Sequence, residues 1–461
     1  MLPLQTLLLI FCLMFCPSCE CAKDYVTALA DSILFFDAQR SGPLPANNPI
    51  KWRGNSALGD CVVGGWYTGP DHLKFGLPMA SATDFLLWSV YKWKDSYVRA
   101  GQLTQMYDMV KWPLDYFLKA WNSTKQELVY QVGEENIEYS YWGRPEDMTH
   151  PRPCKVASAA HPGSDVAGAT AAALALGHLV FKDKGDTVYS NQLLNAAKSL
   201  YKFATDHKGS YQTDTFPSEK YTDELCLASV WLYRATHTVQ YLNEAKTYID
   251  NDDIYALTQD SKDLACRQLL YEETHEDSHK TAVVDYFNNW LPGGTVQYTP
   301  CGLAWRMKWG PLGTAAKSAF LALVAADSGI EIDRYRKWAV EQINYILGDN
   351  PHNGGCFSFE VGYSSRYPLQ PHHRGASCPD RPAHCDLAQY SADTPNPQVL
   401  TGAIVGGPDE YDQYLDVRPD WVYNEVQVDY NSGFQAALAG IVHLLSINLL
   451  PTTNNKCPCN Q

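Results

Sequence analysis

The chain has few charged residues, and fewer basic than acidic ones. Asp, Glu, Lys and Arg make up 19% of it, with 36 Lys and Arg against 51 Asp and Glu, a formal net charge of -15. So thin a basic complement excludes a nucleic-acid-binding protein, because phosphate neutralisation needs a clustered positive face. No Cys-x-x-Cys/His pattern has zinc-site spacing, and no Gly-x-Ser-x-Gly elbow precedes a helix. Neither the phosphate-binding nor the dinucleotide-binding glycine motif is present. Beyond the N-terminal segment no stretch reaches the ~20 consecutive apolar residues of a membrane span. No fixed-period repeat marks a solenoid, and no clear strand alternation marks a sheet protein.

What is there is apolar and aromatic. Hydrophobic residues make up 45% of the chain and aromatics 12%, enough for a large core. Leu7 to Phe15 form a short apolar run, and Ala22 precedes Lys23, so residues 1–22 read as a secretory signal peptide despite an N-terminal region without Lys or Arg. Ten cysteines follow Ala22, an even number that suits an oxidising compartment, with their pairing left open. The sequon Asn122-Ser123-Thr124 fits the same route. The expectation is a secreted, extracellular monomer with no membrane or nucleic-acid partner, and residues 23–461 forming a single domain.

Helical spacing recurs along the chain. It predicts helices over Tyr25–Phe36, Pro78–Ala100, Leu103–Trp121 (with a bend at Pro113), Asp165–Phe181 and Ser190–Thr205, and onward to Gly433–Ile447. Eleven or twelve such helices, most joined by short turns, give an all-α fold, and a closed toroid of helix pairs accommodates that number. Long non-periodic loops, rich in Trp, Tyr, Asp and His, are then left to carry function.

Three loops stand out. In Gly64-Gly65-Trp66-Tyr67-Thr68-Gly69-Pro70-Asp71-His72, the acid stands shortly before a predicted helix. Asp71 is either a base, kept ionised by the helix N-terminus, or simply a cap or turn residue. In Gln370-Pro371-His372-His373-Arg374-Gly375, two histidines and an arginine can present donors to sugar hydroxyls; metal ligation is the rival reading. The stretch from Tyr414 to Phe434 holds Asp416, Asp420, Glu425 and Asp429 among aromatics. A carboxyl in apolar surroundings has the raised pKa of a general acid, although a capped turn before a core helix would look the same. Asp71 and Glu425 together make two carboxylates in contrasting environments, which glycoside hydrolysis requires.

With these residues in view, the chain resembles the glycoside hydrolase family 9 endoglucanases, especially the animal and plant type without an appended binding module. The resemblance runs from Asp24-Tyr25 to Gly433 and includes Asp71-His72-Leu73-Lys74-Phe75-Gly76, Trp142-Gly143-Arg144-Pro145-Glu146-Asp147, His372-His373-Arg374-Gly375, Asn424-Glu425-Val426 and Asp429-Tyr430-Asn431. It implies an (α/α)6 barrel that cleaves a β-1,4-glucan with inversion, Asp71 the base and Glu425 the acid. It also implies that His372 and Arg374 hold substrate, that Asp416 is the acid preceding the catalytic glutamate, and that Tyr430 is an aromatic beside the site. His373, Trp142, Trp305, Trp309 and Thr68 complete the expected substrate-binding set, the tryptophans stacking on sugar faces. No cofactor is required. A structural calcium, known in some members, has Asp165 and Asp223 as candidate oxygen ligands, short of the six to eight it needs.

The chain departs from that family at several points. Thr68 stands where the family carries a second Asp, which helps to place the attacking water. Tyr139 stands for a histidine, Gln427 for a small residue and Ala169 for a glutamate. Two functions follow: an inverting endoglucanase with reduced or altered activity, or a catalytically weak β-glucan-binding protein that retains the cleft.

Overall fold

The structure is a computed structural model that describes residues 23–211, 213, 215–250 and 254–459. The expected signal peptide, residues 1–22, lies outside the described residues. Among the described residues, twelve helices of nine residues or more carry the fold. They are α1 (Tyr25–Ala38), α2 (Gly76–Arg99), α3 (Leu103–Ala120), α4 (Ser164–Asp183), α5 (Thr187–Asp206) and α6 (Thr222–Thr236), then α7 (Val239–Thr247), α8 (Asp263–Thr274), α9 (Asp277–Trp290), α10 (Pro311–Asp327), α11 (Ile332–Ile346) and α12 (Val428–Ser446).

The even-numbered helices form an inner ring. α12, α2, α4, α6 and α8 pack in succession and α10 returns to α12. The bond from Gln268 Nε2 to Ser328 Oγ, at 2.9 Å, ties α8 to the end of α10. Each inner helix is backed by the outer helix that follows it, and α12 by α1. This is the (α/α)6 barrel expected from the resemblance.

Composition explains the two rings. α4 reads Ser-Asp-Val-Ala-Gly-Ala-Thr-Ala-Ala-Ala-Leu-Ala-Leu-Gly and is buried on all sides from Ser164 to His178. Its small side chains let neighbours approach closely; a Cβ on Gly168 would stand 3.0 Å from Glu224 Cβ of α6. By length and composition α4 is also apolar enough to cross a membrane, contrary to the reading of the sequence, but 94% of that stretch is buried inside the barrel. The outer helices are one-sided: α11 buries Tyr335, Trp338, Ala339, Ile343 and Ile346 and exposes its charges.

Two features were not anticipated. A small antiparallel sheet joins Lys74–Phe75, Trp121–Asn122, Glu127–Val132 and Cys154–Ala157, and Gln297–Tyr298 pairs with Ala304–Trp305. Strands of two to six residues are too short for alternation to register. α12 begins at Val428, five residues before the expected Gly433, because Asp429, Asn431 and Ser432 are polar yet buried. The ten cysteines pair as Cys61–Cys154, Cys226–Cys266, Cys301–Cys457, Cys356–Cys459 and Cys378–Cys385.

Candidate active site

The long loops meet at one end of the barrel and enclose a cleft of about 1030 Å³. Asp71 and Glu425 both line it, with Thr68, Trp142, Trp309, His372, Arg374 and Tyr430. The segment from Gln370 to Arg374 brings the two acids together. His372 pairs with Glu425 in a parallel β-bridge, its N–H donating to Asn424 O at 2.8 Å. Two residues on, the Arg374 N–H donates to Pro70 O at 3.0 Å. The Glu425 segment is also fixed directly to the Asp71 loop, through Val428 N–H to Thr68 O at 3.0 Å.

The two carboxyls are tuned differently. Burial pushes Asp71 up to about 6, against the opposing pull of the Arg374 guanidinium; its Oδ1 also accepts from Leu73 N–H at 3.0 Å. α2 begins five residues further on, so Arg374 and the Leu73 amide, rather than a helix terminus, support the anion. Burial, reinforced by the nearby Asp71 charge, pushes Glu425 up to about 8, although Gln427 and Tyr430 donate to it. The Tyr430 hydroxyl reaches Glu425 Oε2 at 3.3 Å. Its ring is held by glycines: a Cβ on Gly310 or Gly313 would stand 2.3 or 2.8 Å from Tyr430 atoms.

His372 is neutral, since burial pushes it down to about 4. Its Nδ1–H donates to Arg418 O at 2.8 Å, which leaves Nε2 as an acceptor. Arg374 donates to Glu138 Oε1 and to Glu138 O, at 2.5 and 3.1 Å. Reading the sequence missed Glu138. It is 1% exposed and also meets His72 Nδ1 at 2.9 Å and His150 Nε2 at 3.0 Å. Burial opposes its charge, but His72, His150 and Arg374 hold it well below the usual carboxylate range. Its only sequence signal was its place just upstream of Tyr141-Trp142-Gly143-Arg144.

Three assignments are corrected. His373 is buried behind the cleft wall: Nε2–H donates to Gln39 Oε1 at 2.9 Å and Nδ1 accepts from Ala376 N–H at 2.9 Å. Gln39 in turn donates to Tyr67 O and Gly69 O, so His373 supports the Asp71 loop and has no face for substrate. Asp416 does not line the cleft. Its oxygens accept from Leu369 N–H at 2.6 Å and Gln370 N–H at 2.9 Å, which makes it an anchor for the His372 segment. Trp305 also lies outside the cleft lining, its Nε1–H donating to Pro408 O at 3.1 Å in the short hairpin. Trp309 does line the cleft, its ring 4.7 Å from that of Trp421. Trp421 was read as part of the turn before Glu425, and only the fold sets it against Trp309.

Thr68 is buried, and its Oγ1 accepts from Phe75 N–H at 2.8 Å. The hydroxyl serves the loop and brings no charge to the cleft. Of the candidate calcium ligands, Asp165 accepts from Val166 and Tyr211 N–H, and Asp223 accepts through Oδ2 from Lys262 N–H at 2.6 Å while its Oδ1 is buried without a hydrogen-bond partner. The Lys262 ammonium already meets Glu224 at 2.8 Å. Among the described residues no cluster of three or more His, Cys, Asp or Glu is disposed to hold a metal.

Known proteins resemble the chain over most of its length. The chain is 39% identical to endoglucanase A of Bacillus pumilus over 451 residues, which cover 91% of this chain and 66% of that protein. It thus spans about two thirds of that relative's length. An endoglucanase from the termite Nasutitermes takasagoensis has 42% identity and a TM-score of 0.88, over 92% of this chain and 99% of that one. An endoglucanase from Clostridium thermocellum, solved with cellotriose, has 33% identity and a TM-score of 0.83, over 95% of this chain and 74% of that one. The family model for glycosyl hydrolase family 9 matches residues 25–438, so with fold, cleft and sequence in agreement the chain belongs to glycosyl hydrolase family 9.

Proposed function

We propose that the chain is a secreted, inverting endo-β-1,4-glucanase acting on cellulose or related β-glucans. The observation that carries this reading is the placement of Asp71 and Glu425 in one cleft, with the carboxyls raised to unequal degrees, to about 6 and about 8. Between those values Asp71 is ionised and Glu425 protonated. Glu425 then gives its proton to the glycosidic oxygen as that bond breaks. Asp71 takes a proton from the water that attacks the anomeric carbon from the opposite face. The products are two shorter chains, one with an inverted reducing end. Exchange with solvent returns each proton.

Arg374 and the Nε2 of His372 bind sugar hydroxyls beside the bond to be cleaved, and the rings of Trp142, Trp309 and Tyr430 offer stacking surfaces. These steps rest on the chain's own carboxylates and draw on no cofactor. The substrate class is supported by the cellotriose complex of the Clostridium thermocellum relative. Secretion is supported by five disulfides, which suit an oxidising compartment.

Thr68 favours a second reading, a β-glucan-binding protein with weak turnover, because it supplies no charge for the attacking water. New reducing ends on carboxymethyl cellulose, mixed-linkage glucan and xylan, measured beside Asp71→Asn, decide between the two. Activity in the wild type alone supports the hydrolase. Equal inactivity with retained binding supports the binder.

A further inference from the structure

Asp71 is held from both sides, and one of the two holds comes from behind the cleft wall. On one side Pro70 O accepts from Arg374 N–H at 3.0 Å. On the other, His72 N–H donates to Glu138 Oε1 at 3.0 Å, and His72 O accepts from Arg152 Nη2 at 2.8 Å. Glu138 ends the short helical turn Glu135–Glu138. It is 1% exposed and does not line the cleft, although Tyr139 beside it does.

The same Oε1 accepts from Arg374 Nη1 at 2.5 Å, and Glu138 O accepts from that nitrogen at 3.1 Å. The Arg374 guanidinium has little else to hold it. Its Nε is buried without a partner, and the Trp142 ring, 5.6 Å from the guanidinium carbon, offers a face but no acceptor. With Nη1 taken by Glu138, Nη2 is left for a sugar hydroxyl. Main-chain bonds fix where the backbones of Asp71 and Arg374 stand. Among the described residues, Glu138 is the acceptor that decides where the guanidinium points. Its second oxygen meets His150 Nε2 at 3.0 Å and lies 3.7 Å from Arg152 Nη1, so the carboxylate cannot swing away from Arg374 without losing buried partners.

Charge acts alongside reach. The Arg374 cation favours the ionised form of Asp71 and so weakens it as a base, while the Glu138 anion opposes that pull. We propose that Glu138 is a positioning residue for the hydrolysis: one carboxylate oxygen sets the Arg374 guanidinium against the Asp71 backbone, and its charge offsets that of Arg374 beside Asp71. The proposal rests on the hydrolase reading of the cleft and deepens it, with Glu138 acting through Arg374 and Asp71 and touching no substrate itself.

The test compares Glu138→Gln, Glu138→Asp and Glu138→Ala with the parent. Cellopentaose is the probe, through kcat and KM across pH, and through calorimetric binding in the Asp71→Asn background. The charged and titratable groups that face Asp71 and Glu138 are Arg374, Arg152, His72, His150, Tyr139 and Glu425, and none of them is altered. Glu138→Gln keeps an oxygen for Arg374 and His72 but removes the charge, so the acidic limb of kcat/KM should move to lower pH by about one unit. Glu138→Asp keeps the charge but draws the carboxyl back by about 1.5 Å. Its acidic limb should stay, while kcat/KM falls roughly ten- to a hundredfold and binding weakens. Glu138→Ala should show both effects; if it does not fold, the other two variants carry the test. A Glu138→Gln profile that superimposes on the parent's overturns the proposal. So does a Glu138→Asp protein that loses thermal stability yet keeps the parental kcat and KM. Failure of the hydrolase reading is distinct, because the parent itself then turns over no cellopentaose. Calorimetry still reads Arg374 in that case, and undiminished affinity in Glu138→Asp would overturn the positioning role.

Discussion

His372 and Glu425, 53 positions apart in the chain, lie side by side in a parallel β-bridge. The neutral imidazole of one and the raised carboxyl of the other therefore share one rigid piece of backbone. Asp71 is tied to the same piece through Arg374 N–H and Pro70 O. The relative position of Glu425, Asp71, His372 and Arg374 is thus set by main-chain hydrogen bonds, which side-chain substitutions leave intact.

That arrangement fixes the pH dependence. Asp71 must be ionised, so kcat/KM should fall as pH drops below about 6. Glu425 must be protonated, so it should also fall as pH rises above about 8. The profile of kcat/KM on a soluble glucan should be a bell with its maximum near neutrality. A maximum near pH 4 would refute the assignment of these environments.

Removing either carboxyl should remove the reaction but not the fold. Asp71→Asn and Glu425→Gln are each expected to lower kcat by about 10²–10⁴-fold, with binding of cello-oligosaccharides by calorimetry largely retained. A variant that keeps wild-type turnover would show that the other acids of the cleft carry the chemistry.

Thr68→Asp tests the missing charge. The new carboxylate can still accept from Phe75 N–H, so the loop should hold. A charge-assisted contact to the attacking water is worth about 1.5–3 kcal/mol, roughly ten- to a hundredfold in rate. A second anion beside Asp71 should also move the acidic limb of the profile to higher pH. Unchanged kcat would mean that Gln427, whose Cγ lies 3.7 Å from a Cβ built on Gly69, has already adapted the site.

Gly313→Ala should reverse the usual sign of that substitution. Within a helix, Ala in place of Gly ordinarily stabilises by about 1 kcal/mol. Here the added methyl would meet the Tyr430 backbone and ring at 2.8 Å. A loss of about 1–3 kcal/mol in thermal unfolding is expected, with a fall in kcat as Tyr430 leaves Glu425.

His373→Ala and Arg374→Ala should separate structure from binding. The first leaves Gln39 Oε1 without its donor, at a cost of about 1–3 kcal/mol in stability, while KM changes little. The second should raise KM and lower kcat. A selective rise in KM for His373→Ala would restore the substrate role that its burial removes.

Much of this was legible along the chain, because some signals are local. The small-residue run of α4 and the one-sided pattern of α11 declared helices, and an even count of cysteines declared disulfides without their partners. Asp71 and Glu425 were legible as acids in unusual company. Glu138 was not, since nothing marks an acid whose partners His72, His150 and Arg374 come from three separate segments. His373 misled for the converse reason: it adjoins two site residues, but alternation along an extended backbone turns it to the opposite side.

The sequence by itself determined the helical class and the acidic, low-charge composition, and it singled out Asp71 and Glu425 as candidates, because periodicity, composition and residue type are properties of short stretches. Only the tertiary structure decided which environment each carboxyl has. The Arg374 charge reaches Asp71, and the Asp71 charge reaches Glu425, through space across more than three hundred residues of intervening chain. The same closure turned Asp416 from a catalytic candidate into an anchor for the His372 segment.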